Sequence, residues 1–138
     1  MKLLLALALL LTPAIAAAAS VRAAHPIIGT WKLATHKKDC FEIYRFRTDG
    51  TTHVTSGTQV NDSAYTISDD ESPAGFYKLV DTITMTNGKP DCEGDAAPAG
   101  DVVTVYVHFE PSGTEMSMCR SEFFVACIGP FQRLPGPY

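Results

Sequence analysis

Four histidines, His25, His36, His53 and His108, are the residues of this chain best suited to proton transfer or ligand contact, because imidazole titrates near neutrality. No spacing among them forms a motif. His25 falls in a lead-in segment expected to be flexible, His36 beside Lys37 and Lys38 in a loop, and His53 on a polar strand. His108 is the strongest candidate, since Thr104 and Tyr106 share its face of a strand, where a neutral ring would act as a base or bind a ligand. Beside that stands the plainer reading of His108 as a surface or hydrogen-bonded histidine on an alternating strand. Tyr44 and Tyr77 join Tyr106 and His108 as candidate ligand contacts, as aromatics able to line a pocket.

The remaining chemistry is sparse. There is no Gly-x-Ser-x-Gly elbow and no Gly-rich strand-to-helix turn, so no catalytic set is assigned and no cofactor is implied. Asp69, Asp70 and Glu71 lack the alternating ligand spacing of a calcium loop and read as a solvated acidic turn, so no metal site is expected. Asp81 interrupts an otherwise apolar row of Tyr77, Leu79, Ile83 and Met85, which places it near a barrel mouth or in a function. As a paired-carboxylate set, acids such as Asp81 and Glu42 are too common to count. Asn61-Asp62-Ser63 fits a glycosylation sequon in an expected turn.

Cys40, Cys92, Cys119 and Cys127 are spaced by 52, 27 and 8 residues, with none of the close pairs that a zinc site needs. Of three possible connectivities, Cys40 with Cys92 and Cys119 with Cys127 is favoured, since the second pair flanks one short connection. The compartment supports pairing. Residues 1–19 carry Lys2, an apolar run from Leu3 to Leu11, Pro13 and an alanine-rich end, the order of a signal peptide cleaved before Ser20. The run is too short to span a bilayer and no stop-transfer segment follows, so no membrane anchor is expected and the chain is assigned to the periplasm or the secreted fraction.

Removing the leader leaves 119 of 138 residues: an extension over 20–26 and a single domain over 27–138. Of 11 basic and 15 acidic residues the leader takes one base and no acid, leaving 10 against 15, and the scattered basic residues argue against a nucleic-acid partner.

β-branched and aromatic residues alternate with polar ones between turn signals, and no stretch sustains a helical period. Strands are predicted near 28–35, 40–48, 51–58, 63–68, 76–86, 101–110, 114–119 and 128–134. Asp49-Gly50 and Pro111-Ser112-Gly113 supply hairpin turns between neighbours. Val103, Val105, Val107 and Phe109 share one face of the sixth strand, with Thr104, Tyr106 and His108 on the other. The long breaks at 69–75 and 87–100 are polar surface loops. The fold class is therefore all-β, a small antiparallel meander barrel of about eight strands.

Gly29-Thr30-Trp31 opens the first strand and Arg133 lies on the last. This pairing resembles the lipocalin-like, or calycin, barrels. The resemblance implies that Trp31 packs at the closed end with a basic side chain over its indole, which gives Gly29, Trp31 and Arg133 structural roles. The second signature of the lipocalins, an acid with Tyr-Arg at a mid-chain turn, is missing, and the chain is shorter than they are. Two functions follow as expectations. The first is a binding protein for an apolar or amphipathic small molecule. The second is an inhibitor or immunity-type protein that meets an envelope or extracellular protein through its loops. An enzyme ranks third, with Tyr106 and His108 its only residue-level support.

Overall fold

The computed structural model describes residues 19–136; the expected leader lies outside the described residues except for Ala19. Among the described residues eight strands are formed: β1 (Gly29–Ala34), β2 (Phe41–Phe46), β3 (Thr51–Ser56), β4 (Gln59–Ile67), β5 (Tyr77–Thr86), β6 (Val102–Phe109), β7 (Glu115–Cys119) and β8 (Ile128–Leu134). Each pairs antiparallel with its neighbour in sequence, and β1 pairs with β8, which closes the barrel. This is the all-β meander barrel expected, of lipocalin-like architecture. Closure removes the unpaired strand edges that a short all-β chain would otherwise expose.

The up-and-down course gives the barrel two different ends. The β2–β3, β4–β5 and β6–β7 turns gather at one, with the segment that leads into β1. The β1–β2, β3–β4, β5–β6 and β7–β8 connections surround the other. The first end is closed and solid. Trp31, Val107, Met116 and Phe131 are fully buried there with Ile27, and Tyr77 and Phe109 pack against them.

Arg133 locks this end. Its guanidinium stands 4.1 Å from the Trp31 ring centroid, and its nitrogens donate to Gly113 O at 2.9 Å, Ile28 O at 2.8 Å and Pro26 O at 2.6 Å. Trp31 Nε1 in turn donates to Ile27 O at 2.9 Å. A planar fork with several donors suits three converging carbonyls as an ammonium would not. Gly29 takes a φ of 132°, a backbone region that side chains other than glycine rarely adopt, which accounts for the glycine two residues before the tryptophan.

The lead-in to β1 is not flexible, contrary to the sequence-based expectation for His25. His25 is 3% exposed, its Nδ1 accepts from Ile27 N at 3.1 Å, and its Nε2 faces Ser68 O at 3.1 Å. Because a carbonyl only accepts, Nε2 carries the proton and the ring is held as one neutral tautomer. The composition of residues 20–26 hides this, since the segment orders by sealing the barrel end and not by forming an element of its own.

The open end is tied by both disulfides, Cys40–Cys92 and Cys119–Cys127. The first joins the β1–β2 loop to the β5–β6 loop; the second closes the β7–β8 loop on itself. Two disulfides fit an oxidising compartment outside the cytoplasm.

Candidate functional site

Between the solid end and the disulfide-tied mouth the barrel is hollow. A cavity of about 200 Å³ opens there, mostly apolar in its lining but with one polar patch. Tyr44 and Phe46 of β2, Val103 and Val105 of β6 and Met118 of β7 give an apolar wall. Thr52 of β3, Asn61 and Ser63 of β4 and Asp81 of β5 give a polar patch on three adjacent strands, set among Val54, Leu79 and Ile83. Alternation explains the arrangement, because Thr52, Asn61, Ser63 and Asp81 occupy inward positions that an apolar core would fill with Val or Leu.

A β-bulge shapes the polar patch. Asp62 pairs with Met85 and Ser63 with Ile83, so Thr84 is the extra residue of β5, and its Oγ1 donates to Asp62 O at 3.0 Å. The extra residue reverses the facing of the chain beyond it. Ile83 lines the cavity, while Met85 turns out and is 58% exposed, which ends the row that a uniform alternation over 77–85 predicts.

Among the described residues Asp81 has no cationic partner. Burial pushes its carboxyl above the usual carboxylate range, against a smaller opposing pull from the facing hydroxyls of Ser63 and Thr52. Those hydroxyls lie near without completing the bonding: Asp81 Oδ1 and Thr52 Oγ1 are both buried with no hydrogen bond of acceptable geometry, and so is Asn61 Oδ1. The orientation of Asn61 follows from its neighbour. Gln59 Nε2 donates to the Lys89 and Asp95 carbonyls, each at 3.4 Å, which leaves Gln59 Oε1 to accept from Asn61 Nδ2 at 3.0 Å. Asn61 Oδ1 is then the atom left over.

The mouth loop also steadies the opposite wall. Cys92 N donates to Ser56 Oγ at 3.1 Å, Ser56 Oγ donates to Glu42 Oε1 at 2.7 Å, and Tyr44 OH donates to Glu42 Oε2 at 2.6 Å. Burial and then the Glu42 carboxylate raise the Tyr44 hydroxyl well above its ordinary range, so Tyr44 is a fixed neutral donor. Its ring borders the cavity and packs edge-on against Phe131 at 5.3 Å. A second hollow at the mouth is lined by Leu33, His36, Glu42 and Ile128, and Ile128 borders both spaces.

Known protein families, curated proteins and solved structures were all compared with the chain. None matches.

Of the four candidate ligand contacts, Tyr44 lines the cavity. Tyr77 points inward at the closed end, edge-on to Phe109 at 5.6 Å and to His25 at 4.8 Å. Tyr106 and His108 face out, since Val105 lines the cavity and Val107 is fully buried on the alternate face. His108 packs there against Phe76 at 5.4 Å and Phe124 at 5.1 Å. His53 pairs with Asp62 on the outer wall, Nδ1 to Oδ1 at 2.7 Å. Among the described residues, no three His, Cys, Asp or Glu side chains gather as metal ligands.

Sequence reasoning missed Asn61 and Thr52. Asn61, read as a sequon in a turn, is inside β4 and only 6% exposed, so it is no glycosylation acceptor in the folded barrel. Asp81 did leave a readable signal, as an acid inside an apolar row.

Proposed function

We propose that this chain is an exported calycin-type barrel, periplasmic or secreted, that binds one apolar or amphipathic small molecule through its disulfide-tied mouth. The observation that carries this reading is the division of the barrel into a solid closed half and a hollow half whose largely apolar lining carries one polar patch. A protein that used the barrel as a scaffold alone would gain by filling the hollow, because unfilled core volume weakens packing. Three buried oxygens without a protein partner among the described residues, Asp81 Oδ1, Thr52 Oγ1 and Asn61 Oδ1, argue the same way, since polar atoms set on a hollow are placed to meet what enters it.

The test is a titration of the purified protein with small alkylbenzenes, alkyl alcohols and alkylamines, followed by melting temperature. Ligands of about one ring should raise it, and Val105→Trp, which fills the hollow from the apolar wall, should abolish the rise while the barrel still folds. A protein whose melting temperature no such compound moves would count against the reading.

A protein partner is the second reading, favoured by one specific patch. Phe123, Phe124 and Val125 on the disulfide-closed β7–β8 loop are 84%, 58% and 55% exposed. The two acidic loops, 69–75 and 87–100, lie at opposite ends of the barrel, so a compact partner would meet one of them and not both. Recovery of one partner by the wild type and not by Phe123→Asp, from periplasm or culture medium, would favour this second reading.

A further inference from the structure

Resting on the cavity-binding reading, we propose that the ligand carries a primary ammonium, seated on Asp81 and Thr52, and a body no larger than one aromatic ring with a short arm. Size sets the first limit. Dry cavities of roughly 150 Å³ accept benzene, so about 200 Å³ suits a ring with two or three further atoms.

Charge sets the second limit. Among the described residues that line the cavity, none is Lys, Arg or His, and Asp81 lies in the wall. Glu42 adds a second carboxylate behind Tyr44. An anion would meet these groups with no compensating cation and would lose its water as well.

The unpaired atoms set the third. Asp81 Oδ1 and Asn61 Oδ1 accept hydrogen bonds only, Thr52 Oγ1 can accept one while its hydroxyl points toward Asp81, and among the described residues none of the three buried atoms has a partner of good geometry. Thr52 is 1% and Asn61 6% exposed, so neither reaches bulk solvent. A hydrocarbon would leave the set unmet, and a single hydroxyl would serve one member without compensating the carboxylate. An ammonium brings three donors and the opposite charge. The burial that raises the Asp81 carboxyl is offset once a cation sits against it. Asn61, nearer the mouth along β4, is left for a second donor on the ligand arm. The body then lies across the barrel against Phe46, Val103, Val105 and Met118.

Calorimetric titration of the whole protein at neutral pH with phenethylamine, propylbenzene and phenylacetate tests this, because the three share one ring and differ in charge. Phenethylamine should bind roughly ten-fold or more tightly than propylbenzene, as expected for a hydrogen-bonded charge, and phenylacetate should not bind. Asp81→Asn should weaken phenethylamine by a similar factor and leave propylbenzene unchanged or tighter, which also shows that the variant is folded. Thr52→Val should weaken phenethylamine by a smaller factor. Propylbenzene binding as tightly as phenethylamine, or phenethylamine indifferent to Asp81→Asn, would overturn the ammonium assignment and leave the cavity reading standing. Failure of all three compounds to bind would overturn both.

Discussion

Asp81, His25 and Arg133 each tie one side chain to a measurable property. Asp81 titrates higher in the folded barrel than in the unfolded chain, because burial disfavours its charge. The unfolded chain therefore releases this proton first, and stability falls as pH rises from the unfolded carboxylate range, near 3.8, through the folded value. Asp81→Asn should accordingly raise the melting temperature at neutral pH; a lower one would mean that the carboxylate has a partner after all. His25 acts in the opposite pH direction. Burial lowers its pKa from 6.5, with Arg22 adding to the shift and the Ser68 carbonyl and Asp69 opposing it. The unfolded chain takes up a proton that the folded one resists, so this contribution is full above 6.5 and is lost as pH falls through the window below it. His25→Gln should flatten that part of the stability profile in urea unfolding. Arg133→Ala leaves three carbonyls unpaired and uncovers Trp31, and should cost about 3 kcal/mol by the same measurement. Arg133→Lys should recover only part, since one ammonium cannot span Pro26, Ile28 and Gly113.

At the scale of elements, the mouth loops are both tied down and connected to the cavity. Cys40–Cys92 closes a separation of 52 residues, worth roughly 4 kcal/mol by chain entropy, against roughly 2.5 kcal/mol for the 8-residue separation of Cys119–Cys127. The 87–100 loop also holds Gln59, and through it Asn61, and reaches Tyr44 through Ser56 and Glu42. Replacing Cys40 and Cys92 by serine should therefore weaken ammonium binding more than hydrocarbon binding, because it loosens the polar patch, whereas replacing Cys119 and Cys127, which flank Met118 and Ile128 on the apolar lining, should weaken both alike. An unchanged preference for the ammonium in the Cys40 and Cys92 variant would break the proposed link. Strand placement was legible in the sequence wherever inward residues were apolar, as along Val103, Val105, Val107 and Phe109. It failed at β4, predicted from 63 and found from Gln59. The inward side chains there are Gln59 and Asn61, which read as turn chemistry because they face a cavity wall and not a packed core. The bulge at Thr84 was hidden for a different reason, since an extra residue changes phase without changing composition.

The whole molecule divides its work along the barrel axis. The closed half is a clamp of Trp31, Arg133 and the ordered lead-in, and the sequence carried the first two through Gly29, Trp31 and Arg133 but not the order of the lead-in. The hollow half was legible only as one acid out of phase. Its other polar residues come from separate strands that closure brings together, and no spacing along the chain marks them. Because Trp31 is fully buried in the closed half, ligand saturation should leave its emission unchanged, a check on where the site lies. The most direct test of the hollow half as the binding site is nuclear magnetic resonance mapping of the labelled protein titrated with phenethylamine and propylbenzene. The amide signals of Thr52, Asn61, Ser63, Asp81, Val105 and Met118, together with the Asn61 side-chain amide, should shift together and saturate. Shifts confined to Phe123, Phe124 and Val125, or none in the barrel wall, would contradict it.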